Sequence, residues 1–111
     1  MKAKIAYSSW LVVFNDFPKV YRNTLGKKID NYFLELLESI FISLYLPPEQ
    51  KLIKLSLAIA KLDGLKFFLQ LAWENKGVSH QRYVVLSEQL DEVGRMLGGW
   101  RKGLESKTPA R

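Results

Sequence analysis

Apolar residues recur along this chain at alternating spacings of three and four, the signature of amphipathic helices. No segment alternates with period two for long enough to suggest a strand. From about Ala3 to Asp16, Tyr7, Trp10, Leu11, Phe14 and Phe17 share one side of a first helix. Pro18 ends it, because the residue before a proline is pushed out of the helical region. Lys19 to Asn23 then reads as a short basic connector. Thr24, with Asn23 as the competing choice, is placed to cap the second helix through a side-chain oxygen that accepts from an orphan backbone N–H. That helix runs to about Tyr45 along a seam of Leu25, Ile29, Phe33, Leu36, Ile40 and Leu44. Leu46-Pro-Pro-Glu49 is a stop and a restart. Pro48 suits a first helical turn, where its missing N–H is not needed.

The third helix, about Pro48 to Asn75, carries two apolar rows. One is Leu55, Ile59, Leu62, Leu65, Leu69 and Ala72; the other is Ile53, Leu57, Ala60, Gly64, Phe67 and Leu71. At about 100° per residue they lie on nearly opposite sides. A peripheral bundle helix needs one such stripe, so the second predicts burial against another helix of the chain or against another subunit. With only four helices available, a subunit is the favoured cover. A turn at Asn75-Lys-Gly-Val-Ser79 follows, with Gly77 suited to the left-handed position and Ser79 to the next N-cap.

The fourth helix, to about Leu104, places Tyr83, Leu86, Leu90, Val93, Leu97, Trp100 and Leu104 on one stripe. Glycines interrupt it at a cost of about 1 kcal/mol each relative to alanine. Ser87, Gly94 and Gly98 form a small-residue row beside the stripe, which predicts close approach of another helix at Gly94 and Gly98. The pattern is an all-α, up-down four-helix bundle: residues 1–104 as one domain and residues 105–111 as a disordered tail.

Composition narrows the chemistry. The 111 residues contain no cysteine, which removes disulfides and thiolate catalysis and fits a reducing cytoplasm. His80 is the one histidine, and in a first helical turn it reads as exposed and incidental. Zinc ligands and a Glu-x-x-His di-iron pattern are missing, as is a phosphate-binding glycine loop. Asp30, Glu35 and Glu38 read as a solvated face. No metal, no cofactor and no catalytic residue is expected. The apolar run from Tyr32 to Leu46 contains two glutamates and is too short to span a bilayer.

The net charge of +6 makes a polyanionic partner plausible. Lys19, Arg22, Lys27 and Lys28 cluster at the expected start of the second helix, where free N–H groups would add to their charge. Lys51, Lys54 and Lys61 run along the third. Arg95 and Lys102 are seven apart on the fourth, near Arg101, with Glu88 and Asp91 placed to neutralise the Arg95 side.

Three blocks resemble one family. Phe17-Pro-Lys-Val-Tyr-Arg-Asn-Thr-Leu-Gly26, Leu62-Asp-Gly-Leu-Lys-Phe-Phe-Leu-Gln-Leu-Ala72 and Glu92-Val-Gly-Arg-Met-Leu-Gly-Gly-Trp100 are similar, in order, to segments of the accessory variability determinant (Avd) proteins of diversity-generating retroelements. The resemblance covers about Tyr7 to Trp100. It implies a homopentameric barrel with no enzymatic activity, which binds reverse transcriptase and template RNA or DNA to support mutagenic retrohoming. In that family, basic side chains of the third and fourth helices lie outside the ring. Lys66 and Arg95 stand at such positions, whereas Gln70 replaces a residue that is often Arg. Candidate contacts to nucleic acid or polymerase are therefore Arg22, Lys27, Lys28, Lys61, Lys66, Arg95, Arg101 and Lys102; the candidate oligomer interface is Ile53, Leu57, Ala60, Gly64, Phe67 and Leu71. The Phe-Pro junction is shared with four-helix proteins encoded in ribosomal-RNA intervening sequences. A helical scaffold without a nucleic-acid role is thus the alternative function.

Overall fold

The computed structural model describes residues 1–107. The helices are α1 (Lys2–Asn15), α2 (Lys19–Tyr21), α3 (Lys27–Ser43), α4 (Pro48–Glu74) and α5 (His80–Lys107). A π-helical turn, Arg22–Gly26, joins α2 to α3. These three segments form one continuous rod, so the molecule is a four-helix bundle measuring 49 × 22 × 22 Å. α1 packs on α5, α5 on α4, and α4 on α3.

The core follows the predicted stripes. Ile29, Phe33, Leu36 and Ile40 of α3 meet Leu55, Leu62, Leu65 and Leu69 of α4 and Leu86, Leu90, Val93 and Leu97 of α5, all buried. α1 contributes Ala3, Ala6, Trp10 and Val13. Trp10 is fully buried, stacked on Phe33 at 6.0 Å between ring centroids and on Phe14 at 5.5 Å. Three stripe members fall outside: Leu11, Leu44 and Trp100 are 45%, 51% and 40% exposed. Small alanines on α1 let it approach closely along a narrower face than the aromatic spacing suggested.

The start of the second helix differs from expectation. Helix resumes directly after Pro18, so the expected connector is helical and neither Thr24 nor Asn23 is an N-cap. The Thr24 hydroxyl donates back to the Tyr21 carbonyl at 3.3 Å. The wider π turn adds a residue to the ring closed by each hydrogen bond. Within it, buried Gly26 lies under two rings: a Cβ there would stand 3.0 Å from Phe14 Cε1 and 3.2 Å from Phe17 Cδ2. The Phe-Pro to Leu-Gly block is therefore a packed corner.

The α4–α5 turn also departs in detail. Lys76, with φ of 63°, takes the left-handed position that was expected of Gly77. Gly77 serves close approach instead, since a Cβ would lie 3.1 Å from Phe17 Cζ and 3.2 Å from the Ala72 carbonyl oxygen. Ser79 caps α5 as expected, its hydroxyl accepting from the Arg82 N–H at 3.3 Å. α5 continues through Glu105, Ser106 and Lys107, so the first three residues of the expected tail are helical; the remainder lies outside the described residues.

Candidate interaction surfaces

Asp30 does not lie on the solvated face that its spacing with Glu35 and Glu38 predicts. It is half-buried, and its Oδ1 accepts from the Tyr7 hydroxyl at 2.9 Å and from the Trp10 indole N–H at 3.1 Å. This carboxylate ties α1 to α3. Burial, the hydrogen bond and the negative charge of Asp30 push the Tyr7 phenol up to about 12. A hydrogen bond across two helices leaves no periodic trace in the sequence, which is why the spacing of acidic residues missed it.

The second apolar row of α4 faces outward as an uncovered ridge. Ile53 is 72% exposed and Phe67 is 61% exposed, while Leu57 and Ala60 are also exposed and Leu71 is partly so. Gly64 belongs to the fold rather than to this ridge: a Cβ there would meet Tyr32 Cε1 of α3 at 2.7 Å. Tyr32 in turn stacks on Phe68 at 5.6 Å.

Basic side chains flank the ridge on both sides. On the α3 side, Lys61 pairs with Glu35 at 3.0 Å, and Lys28 and Lys61 hold their ammonium groups 5.2 and 5.7 Å from the Tyr32 ring centre. These are cation–π distances, and each contact is worth about 0.5–1 kcal/mol where exposed. On the α5 side, Lys66 pairs with Asp91 at 3.0 Å. Asp91 therefore neutralises Lys66 and not Arg95, which is exposed and makes no ion pair among the described residues.

Other candidates separate by role. Arg22 turns back on α1, donating to the carbonyl oxygens of Asn15 at 2.7 Å and Phe14 at 3.3 Å, with its guanidinium over the Phe14 ring. It caps the α1 C-terminus, where unsatisfied carbonyls and the helix dipole favour a cation, and this engages it structurally. Lys27 and Lys28 lack the expected free N–H groups beside them, because the chain is already helical from Lys19. Lys27, Arg101 and Lys102 make no ion pair among the described residues. His80 is exposed, with its ring 5.6 Å from Trp73.

The small-residue row divides. Gly94 is a true contact, its Cβ position lying 3.3 Å from Leu62 Cδ2 and 3.6 Å from Lys66 Nζ of α4. Gly98 was expected at a similar contact, yet nothing lies within 4 Å of a Cβ built there, and the same holds for Gly99 and Gly103. α5 has angled its small face toward α4 only at Gly94.

The geometry defines an all-helical bundle with an exposed apolar ridge between basic flanks, an interaction module in form. The chain belongs to the bAvd-like family, whose model matches residues 2–104. This family is Avd-like, an accessory and non-catalytic kind of protein. No curated protein and no solved structure matches the chain. No helix among the described residues is long and apolar enough to cross a membrane.

Proposed function

We propose that the protein is the accessory subunit of a diversity-generating retroelement, a cytoplasmic homo-oligomeric ring that holds reverse transcriptase and template RNA or DNA together. The observation that carries this reading is the α4 ridge, an apolar row with Ile53, Leu57 and Phe67 left exposed and bordered by cations. A different apolar surface lies across the bundle, where Val12 of α1 and Val85 of α5 border a groove of about 370 Å³. Two unlike patches on different sides of one subunit suit head-to-tail contact, which closes into a ring when the rotation allows. The family resemblance implies five subunits. Ile53, Leu57, Ala60, Phe67 and Leu71 would form one half of the contact, without Gly64.

Nucleic acid would be held by phosphate contacts repeated around the ring, giving avidity without base readout. Lys27, Arg95, Arg101 and Lys102 are the best candidates because they make no ion pair among the described residues. Lys28, Lys61 and Lys66 would first exchange an existing partner. Filter binding of RNA at two salt concentrations tests this. Wild type is expected to weaken steeply with salt, and Arg95→Glu/Lys102→Glu to bind more weakly with a shallower slope while keeping its oligomeric mass. Equal, salt-insensitive binding by both proteins would leave the scaffold reading.

A further inference from the structure

Two ion pairs mark how far α1 extends along α5. Asp16 meets Arg82 at 2.8 Å and Lys2 meets Glu92 at 3.1 Å, so the two helices are antiparallel and α1 ends beside Glu92. α5 continues to Lys107, about 15 residues and roughly 22 Å further at 1.5 Å per residue. The groove that α1 fills therefore continues past its N-terminus, and no helix of the described residues lies in it. A cavity of about 380 Å³ occupies that stretch.

The walls of this upper groove are built for a helix. Leu44 of α3, Leu55 of α4 and Trp100 and Leu104 of α5 supply apolar surface, although Leu55 is the only one of them that is fully buried. Gly99 and Gly103 lie one turn apart on the same wall, and a Cβ at either would meet nothing within 4 Å. Each glycine weakens α5 and neither is explained by contacts among the described residues. Lys51 and Lys107 also line the cavity; among the described residues neither is in an ion pair and no carboxylate lines it.

We propose that this upper groove receives an amphipathic helix from a partner protein, with leucine-like side chains on its inner face and carboxylates along its edge. Continuity with the α1 site gives the groove a helix's width, because a helix already fills its lower half. The two lysines choose an acidic edge over a basic one. They also disfavour a second copy of this cationic chain, whose helices would bring like charge to them. The inference does not depend on the ring or on nucleic-acid binding.

Fluorescence anisotropy with defined probes tests it on the whole chain. The main probe is a labelled synthetic helix of about 15 residues with leucines at three- and four-residue spacing flanked by glutamates. The controls are the same peptide with lysines for glutamates, a scrambled version, and an oligouridine of about 12 nucleotides. The acidic helix is expected to bind wild type best of the four. Gly103→Leu fills the groove without clash and improves helix propensity, so it should weaken that binding about tenfold while leaving the melting temperature unchanged or raised. Lys51→Glu should weaken the acidic helix and favour the lysine version. Undiminished binding of the acidic helix to Gly103→Leu would overturn the proposal, as would equal binding of the scrambled peptide. Loss of oligouridine binding alone in Gly103→Leu would assign the groove to nucleic acid instead. A smaller assembly for Gly103→Leu than for wild type by light scattering would assign it to a second copy.

Discussion

At the scale of single residues, Asp30 decides how α1 is held. Replacing it with Asn keeps an acceptor but removes the charge, and hydrogen bonds to charged groups are the stronger kind. Asp30→Asn is expected to lower stability by about 1 kcal/mol in denaturant titration. It should also return the Tyr7 phenol toward its ordinary value, measured by ultraviolet pH titration with Tyr7→Phe as the reference. In wild type the folded state holds the Tyr7 proton more tightly than the unfolded chain does. The stability from this contact is therefore complete below pH 10 and is lost as the pH climbs from 10 to about 12. The glycines make a second residue-scale prediction. Gly64→Ala must displace the Tyr32 ring from its stack on Phe68, and is expected to cost about 1–2 kcal/mol despite the better helix former. Gly98→Ala meets no such ring and should stabilise the subunit by up to about 1 kcal/mol. Thermal melts of the two variants side by side check both signs.

At the scale of elements, α4 is the informative helix. Its two rows are legible from spacing alone, and the structure buries most of one and leaves most of the other exposed, Gly64 excepted. The reason is plain in the packing: α3 and α5 flank α4, and no described element lies over its outer face. Leu57→Glu adds charge to an exposed position, so the subunit should keep its helical circular dichroism. If the ridge joins subunits, the same change should dissociate the assembly, because a charge buried at an interface without a partner costs several kcal/mol. Light scattering separates the two effects. Wild type that is already monomeric at micromolar concentration would remove the ring from the reading. The π turn was not legible, since neither Thr24 nor Gly26 announces a widened helix. Only the three-dimensional meeting of Gly26 with Phe14 and Phe17 gives that block a physical sense.

At the scale of the whole molecule, the fold was legible because four long stripes of matched spacing leave few arrangements other than a bundle. The surface was less so. Charge spacing put Arg95 and Lys102 on one face, and both are exposed, but it could not tell that Arg22 would turn to cap α1 or that Asp91 would choose Lys66. Those choices depend on distances between helices, which periodicity does not encode. The ion pairs at the two ends of α1 have one more consequence. Asp16 faces Arg82 and Lys2 faces Glu92, so the acidic and basic ends alternate between the two helices. Turned end for end, α1 would set Lys2 against Arg82 and Asp16 against Glu92. Each exposed pair is worth only about 0–1 kcal/mol, yet reversal would trade two attractions for two repulsions. The pairs thus act as a compass for the first helix, telling the chain which way α1 must lie on a face whose alanines would accept it either way.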